Sequence, residues 1–115
     1  MALDGIFSLD IIEEMENYVE RNRPEPEIRP KLDLGYRIEN QSVFIHSIRP
    51  QWDKPEVIQF YDAAKCTYVQ KSNEWKVFWL RASGKWESYP PTPKVKTIGE
   101  FVRLVEEDRH FCFFG

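Results

Sequence analysis

The stretch LDLGYRIENQSVFIHS, residues 32–47, decides the fold. Leu34, Tyr36 and Ile38 alternate with more polar positions, Asn40-Gln41 interrupts, and Val43, Ile45 and Ser47 resume the period of two. Successive side chains of a strand point to opposite faces, so alternation on both sides of a two-residue break predicts a β-hairpin.

Working outward toward the C-terminus, Arg49-Pro50-Gln51-Trp52-Asp53-Lys54-Pro55 carries two prolines, which cannot donate to a ladder. It reads as a connector running from Arg49 to about Ile58. A third strand follows, with Ala64, Cys66 and Tyr68 on one side, and Ser72-Asn73 turns the chain. In the fourth strand Trp75, Val77 and Trp79 share one face while Phe78 and Leu80 share the other, which predicts a central position with apolar cover on both sides. Ser83-Gly84 makes the next turn, and Lys85 to Tyr89 form a short fifth strand ended by Pro90, Pro91 and Pro93. Short connections of this kind give an antiparallel sheet.

Helices flank the sheet. Ile11, Ile12, Met15, Tyr18 and Val19 recur at helical spacing among Glu13, Glu14, Glu16 and Glu20, predicting a helix over about residues 8–21. Pro24, Pro26 and Pro30 then end it and favour an extended link from Arg23 to Lys31. Near the other end Thr97-Ile98-Gly99-Glu100 fits a capping box, and Ile98, Phe101, Val102 and Val105 form one helical face that stops near Glu107. The tail Phe111-Cys112-Phe113-Phe114-Gly115 is apolar enough to dock on the body. The expected architecture is one α+β domain over residues 1–115: a single antiparallel sheet of about five strands flanked by an N-terminal and a C-terminal helix, in the order α-β-β-β-β-β-α.

Composition agrees with a folded domain. The 115 residues are 42% hydrophobic, 15% aromatic and 30% charged, enough apolar surface for one core. No run is long enough to span a membrane as a helix, and no basic region followed by an apolar stretch opens the chain, so neither membrane insertion nor secretion is expected. Cys66 and Cys112 match no disulfide framework and fit a reducing, cytoplasmic setting. The net charge of -3 hides an asymmetry: residues 1–20 hold six acids and no bases, residues 21–96 hold fourteen bases against nine acids, and residues 97–115 hold two bases against four acids. The middle of the chain is basic and both ends are acidic, which matters because local charge governs encounters with a charged partner.

Four kinds of chemistry fit these residues unequally. Nucleic acid is one: Arg37, Arg49, Lys65, Arg81 and Lys85 supply cations for phosphates, and Trp52, Trp79 and Trp86 supply rings for unpaired bases. Cys66, Cys112, His46 and His110 are zinc-ligand types, but no pair has the spacing that lets one local segment present two ligands, and no cofactor is expected. Catalysis would need His46 as a base beside Cys66 or Cys112, and no phosphate loop or nucleophile elbow accompanies them. Association with a second copy or another protein is favoured, because two helices leave part of an apolar sheet uncovered.

Arg23-Pro24 with Ile28-Arg29, Leu32-Asp33-Leu34-Gly35-Tyr36, Ile48-Arg49-Pro50-Gln51-Trp52, Trp75 to Arg81, Lys85-Trp86 and the closing Cys112-Phe113-Phe114-Gly115 follow one another along nearly the whole chain. In order and spacing this resembles the domain of unknown function 3024 family. The resemblance implies a small bacterial cytoplasmic protein and transfers no catalytic or binding residue. Read physically, Asp33 and Arg37 lie four apart on one strand face, and Arg49, Arg81 and Lys85 sit near strand ends where charged groups converge, as an ion-pair network or a polar site. The candidate binding residues are Arg37, His46, Arg49, Trp52, Arg81, Lys85 and Trp86. Together they describe a noncatalytic interaction or self-associating module, with nucleic-acid binding as the alternative and a small enzyme behind it.

Overall fold

A computed structural model, which describes residues 5–109 and 112–114, closes the predicted hairpin where the alternation breaks. Asn40 takes φ 54°, in the left-handed region that asparagine tolerates better than most residues. Strand β1 (Asp33–Glu39) therefore pairs antiparallel with β2 (Ser42–Gln51), from Glu39 opposite Ser42 to Asp33 opposite Ile48. Next come β3 (Lys54–Val69), β4 (Glu74–Leu80), β5 (Trp86–Ser88) and β6 (Lys94–Val95), between α1 (Gly5–Asn22) and α2 (Ile98–Glu107). The sheet is a meander, β1-β2-β3-β4-β5. A sixth strand joins the expected five: β6 shares the outer edge of β4 with β5, its Val95 opposite Trp75 while β5 covers Phe78 to Leu80.

Both helices lie on one face. Ile11, Met15 and Tyr18 of α1 and Ile98, Phe101, Val102 and Val105 of α2 join Val43, Ile45, Ala64, Cys66, Trp75 and Val77 in a single buried core. Ile12, expected on the inner face of α1, is exposed. The Thr97 hydroxyl accepts the Glu100 amide at 3.2 Å, so the cap forms as expected. The helix ends at Asp108 in the left-handed region, and that carboxylate accepts the amides of Phe113 and Phe114. The tail docks through Phe113, which is buried 4.8 Å from the Tyr89 ring, whereas Phe114 stays exposed; Phe111 and Gly115 lie outside the described residues.

Two connections differ from expectation. Arg23 to Lys31 is a run of turns and not an extended link, because Ile28 donates to Glu25 and Leu32 to Ile28 while the Arg29 side chain holds the Pro24 carbonyl. More consequentially, Arg49 to Ile58 is no connector. Strands β2 and β3 continue through it, pairing Arg49 with Gln59 and Pro50 with Ile58 and then, past a register shift that passes over residues 55–57, Gln51 with Lys54 at a turn of Trp52-Asp53. Prolines are tolerated in strands whose far edge is unpaired, and here both edges are: β1 reaches only Ile48 and β4 only Ala64. Residues 49–60 thus form a two-stranded arm beyond the sheet, in a molecule 45 Å along its longest axis.

Candidate functional site

The face opposite the helices carries the candidate site, because β-strand alternation sends there every residue that the core does not take. Along β2 these are Phe44, His46 and Ile48; along β3, Phe60, Asp62 and Lys65; β1 adds Gly35 and Arg37, and β4 and β5 add Phe78 and Trp86. A register skip between Ile45/Ala64 and His46/Asp62 makes a bulge at Ala63. That extra residue keeps Asp62 beside His46 and re-aims the arm.

An open cleft of about 660 Å³ sits where arm meets sheet, lined by Gly35, Tyr36, Arg37, His46, Ile48, Phe60 and Asp62. Arg37 donates to both Asp62 carboxylate oxygens, at 2.5 and 3.1 Å, and also pairs with Glu39 at 3.3 Å. The planar fork of the guanidinium matches a carboxylate, so this pair fixes the orientation of both side chains. His46 is 6% exposed, with Nδ1 3.5 Å from Arg37 Nη1 and its ring edge-on to Phe60 at 5.2 Å. Burial lowers its pKa from the ordinary 6.5 and the Arg37 charge lowers it further, leaving a neutral imidazole at pH 7. Gly35 forms the floor: a Cβ there would meet His46 Nε2 at 2.9 Å and Ile48 Cδ1 at 3.2 Å.

Beside the cleft lies a second cluster. Lys65 Nζ is 4.7 Å from the centre of the Phe78 ring, 5.0 Å from Trp86 and 5.7 Å from Phe44, while Arg37 Cζ stacks on the other side of this group, 4.1 Å from Phe44. Burial lowers the pKa of the Lys65 amine, the Asp62 carboxylate opposes that shift, and the ring faces attract the cation through their quadrupoles. The face is therefore an alternation of rings and cations, running from Phe60 through Arg37 and Phe44 to Lys65 and Trp86.

The sequence candidates separate into three places. Arg37, His46 and Trp86 share this face. Arg49 lies on the opposite side of the arm, its guanidinium 4.6 Å above the Tyr61 ring, and Trp52 occupies the arm tip at 91% exposure. Arg81 and Lys85 belong to the turn between β4 and β5, where Arg81 pairs with Glu87 at 2.9 Å. The proposed Asp33–Arg37 neighbours do not meet, since Arg23 holds Asp33 in a bidentate pair at 2.8 and 2.9 Å. Trp79, offered as a base-stacking ring, packs against the core instead, and its indole N–H is buried without a hydrogen-bond partner among the described residues.

Neither the metal set nor the catalytic pair assembles among the described residues. Cys66 is buried on the helix side, where burial pushes its thiol pKa well up, while His46 lies on the other face. No group of three metal-ligating residues occurs among the described residues, and His110 lies outside them. Likewise no helix among them is long and apolar enough to cross a membrane.

The residues missed by sequence reasoning are Asp62, Phe60 and Ile58. Their alternation was present, Ile58 and Phe60 against Gln59 and Tyr61, but Pro50 and Pro55 masked it. The chain belongs to the family described as Domain of unknown function (DUF3024). That family's model matches residues 7–115, so the arm, the cleft and the ring-and-cation face all lie within the matched span. No curated protein and no solved structure matches the chain.

Proposed function

We propose that this member of the family is a noncatalytic interaction module that associates with a second copy of itself through the arm. One observation carries the proposal: on the two-stranded arm and its turn, Trp52 is 91%, Phe60 60% and Ile58 51% exposed, uncovered by any other element among the described residues. Large apolar groups concentrated on one protruding element mark a contact surface, since isolated domains seldom hold them in water. Arg49 stacked on Tyr61 gives the other side of the arm the ring-and-guanidinium composition that interfaces favour. Free thiols suit a reducing compartment, in keeping with a bacterial cytoplasmic protein.

Light scattering coupled to size exclusion tests this across a hundredfold range of protein concentration. A dimer mass that falls toward the monomer on dilution, and a monomer at every concentration for Phe60→Ser, is the expected result. A wild-type monomer throughout would remove the proposal.

Nucleic-acid binding is the second reading, and the Lys65 ammonium among three rings favours it, since rings and a cation together suit stacked bases. Against it, Arg37 and Arg81 already spend their charge on Asp62, Glu39 and Glu87. Anisotropy titration with labelled single-stranded DNA and RNA separates the two: this alternative requires binding that weakens steeply with salt and drops for Lys65→Ala.

A further inference from the structure

The arm and the cleft are complementary in a way that self-association through the arm does not by itself require. On the face that bears the cleft, the arm presents two apolar rungs, Ile48 opposite Phe60 and Pro50 opposite Ile58, on either side of the Arg49–Gln59 rung. Trp52 stands beyond one of them and the His46–Asp62 rung beyond the other. A two-fold axis through the Arg49–Gln59 rung therefore lays each apolar rung on the other rung of a second copy. It also carries the tip of each arm to the cleft of its partner: β2 stays extended as far as Gln51, so at about 3.3 Å per residue Trp52, the first residue of the turn, lies roughly 20 Å from His46, with Arg49 midway between them.

Pairing by the strand edges is disfavoured by the chain itself. Pro55 has no amide to donate, Lys54 and Glu56 put charges on the free edge of β3, and the bulge at Ala63 breaks its register. Contact through the faces remains. The cleft has the composition an indole needs, with the Phe60 ring and Ile48 as walls, the Arg37 guanidinium, neutralised by its carboxylates, as a flat stacking surface, and the Asp62 carboxylate as an acceptor for an indole N–H. Its floor is open because Gly35 has no Cβ. Taking roughly 200 Å² per large ring, Trp52 and Phe60 alone hold about 300 Å² of exposed surface, over a third of what each partner contributes to a stable interface.

We infer that the Trp52 indole of one copy seats in the Gly35–Arg37–Phe60 cleft of the second, reciprocally. This rests on self-association through the arm and specifies how the two arms engage. Trp52→Ser tests it without threatening the fold, because the side chain is almost wholly exposed. Sedimentation equilibrium should show a dissociation constant weakened at least about 100-fold, the size expected when two buried tryptophan anchors are lost. In ¹⁵N NMR the Gly35 amide should shift as the wild type is diluted and should stay at its monomer position at all concentrations in Trp52→Ser. If the wild type dimerises, Phe60→Ser dissociates it and Trp52→Ser changes neither observable, tip insertion is refuted while association through the arm stands. A wild type that is monomeric at several hundred micromolar refutes both.

Discussion

Replacing Gly35 by alanine tests the close packing beneath the cleft, because two opposing effects have calculable signs. Glycine inside a strand is ordinarily worse than alanine by roughly 0.5–1 kcal/mol, owing to the backbone freedom it loses on folding, so at an open position Gly35→Ala would stabilise. Here the new methyl would stand 2.9 Å from His46 Nε2 and 3.2 Å from Ile48 Cδ1. A long flexible side chain would swing aside, but the imidazole is held between the Phe60 ring at 5.2 Å and Arg37 Nη1 at 3.5 Å. Arg37 is itself anchored twice on Asp62. Overpacking of this kind costs about 1–3 kcal/mol, which exceeds the entropic gain and leaves a net loss near 1 kcal/mol. For a domain of 115 residues that is a fall in Tm of about 4 °C. Thermal unfolding followed by circular dichroism measures it, and the double variant Gly35→Ala, His46→Ala should recover most of the loss that Gly35→Ala adds in the wild-type background. A neutral or stabilising Gly35→Ala would show that the imidazole yields freely and that the cleft floor is not rigid.

Three further outcomes follow from the same contacts. Thr97→Ala removes the hydroxyl that accepts the Glu100 amide and should cost about 1 kcal/mol in urea unfolding, with Thr97→Ser restoring most of it. Because His46 titrates below its ordinary 6.5 in the folded chain, the unfolded chain binds a proton first as pH falls; stability should be full above about pH 7 and decline through 6.5 until the folded state also protonates, and His46→Gln should flatten that decline. Cys66, buried with its thiol pKa pushed well up, should resist iodoacetamide under native conditions and react on unfolding, whereas rapid native labelling at Cys66, read by mass spectrometry, would contradict its place in the core.

The α+β order, the first hairpin and both helices were legible in the sequence because each is set by near neighbours. Alternation about Asn40-Gln41 and the Thr97 cap are local signals, and the heptad-like spacing of Ile11, Met15 and Tyr18 needs no distant partner to be read. The arm was not legible. Prolines at 50 and 55 forbid a central strand, and whether a strand is central depends on how far β1 and β4 extend, which residues 49–60 do not encode. Among the candidate residues Arg37, His46 and Trp86 come together on one face, while their neighbours Asp62 and Phe60 were not singled out, for the same reason as the arm.

By itself the sequence determined which residues alternate, which helical faces are apolar and that a basic, aromatic middle lies between acidic ends, because those properties are carried by residues a few positions apart. Only the tertiary structure decided that both helices cover the same side, that Arg37 meets Asp62 across β2, and that the bulge at Ala63 opens a cleft at the root of a bare arm. These depend on contacts between distant positions, 25 apart for Arg37 with Asp62 and 85 apart for Arg21 of α1 with Glu106 of α2. Pairing register is settled by the energy of the whole packed sheet and not by any one strand.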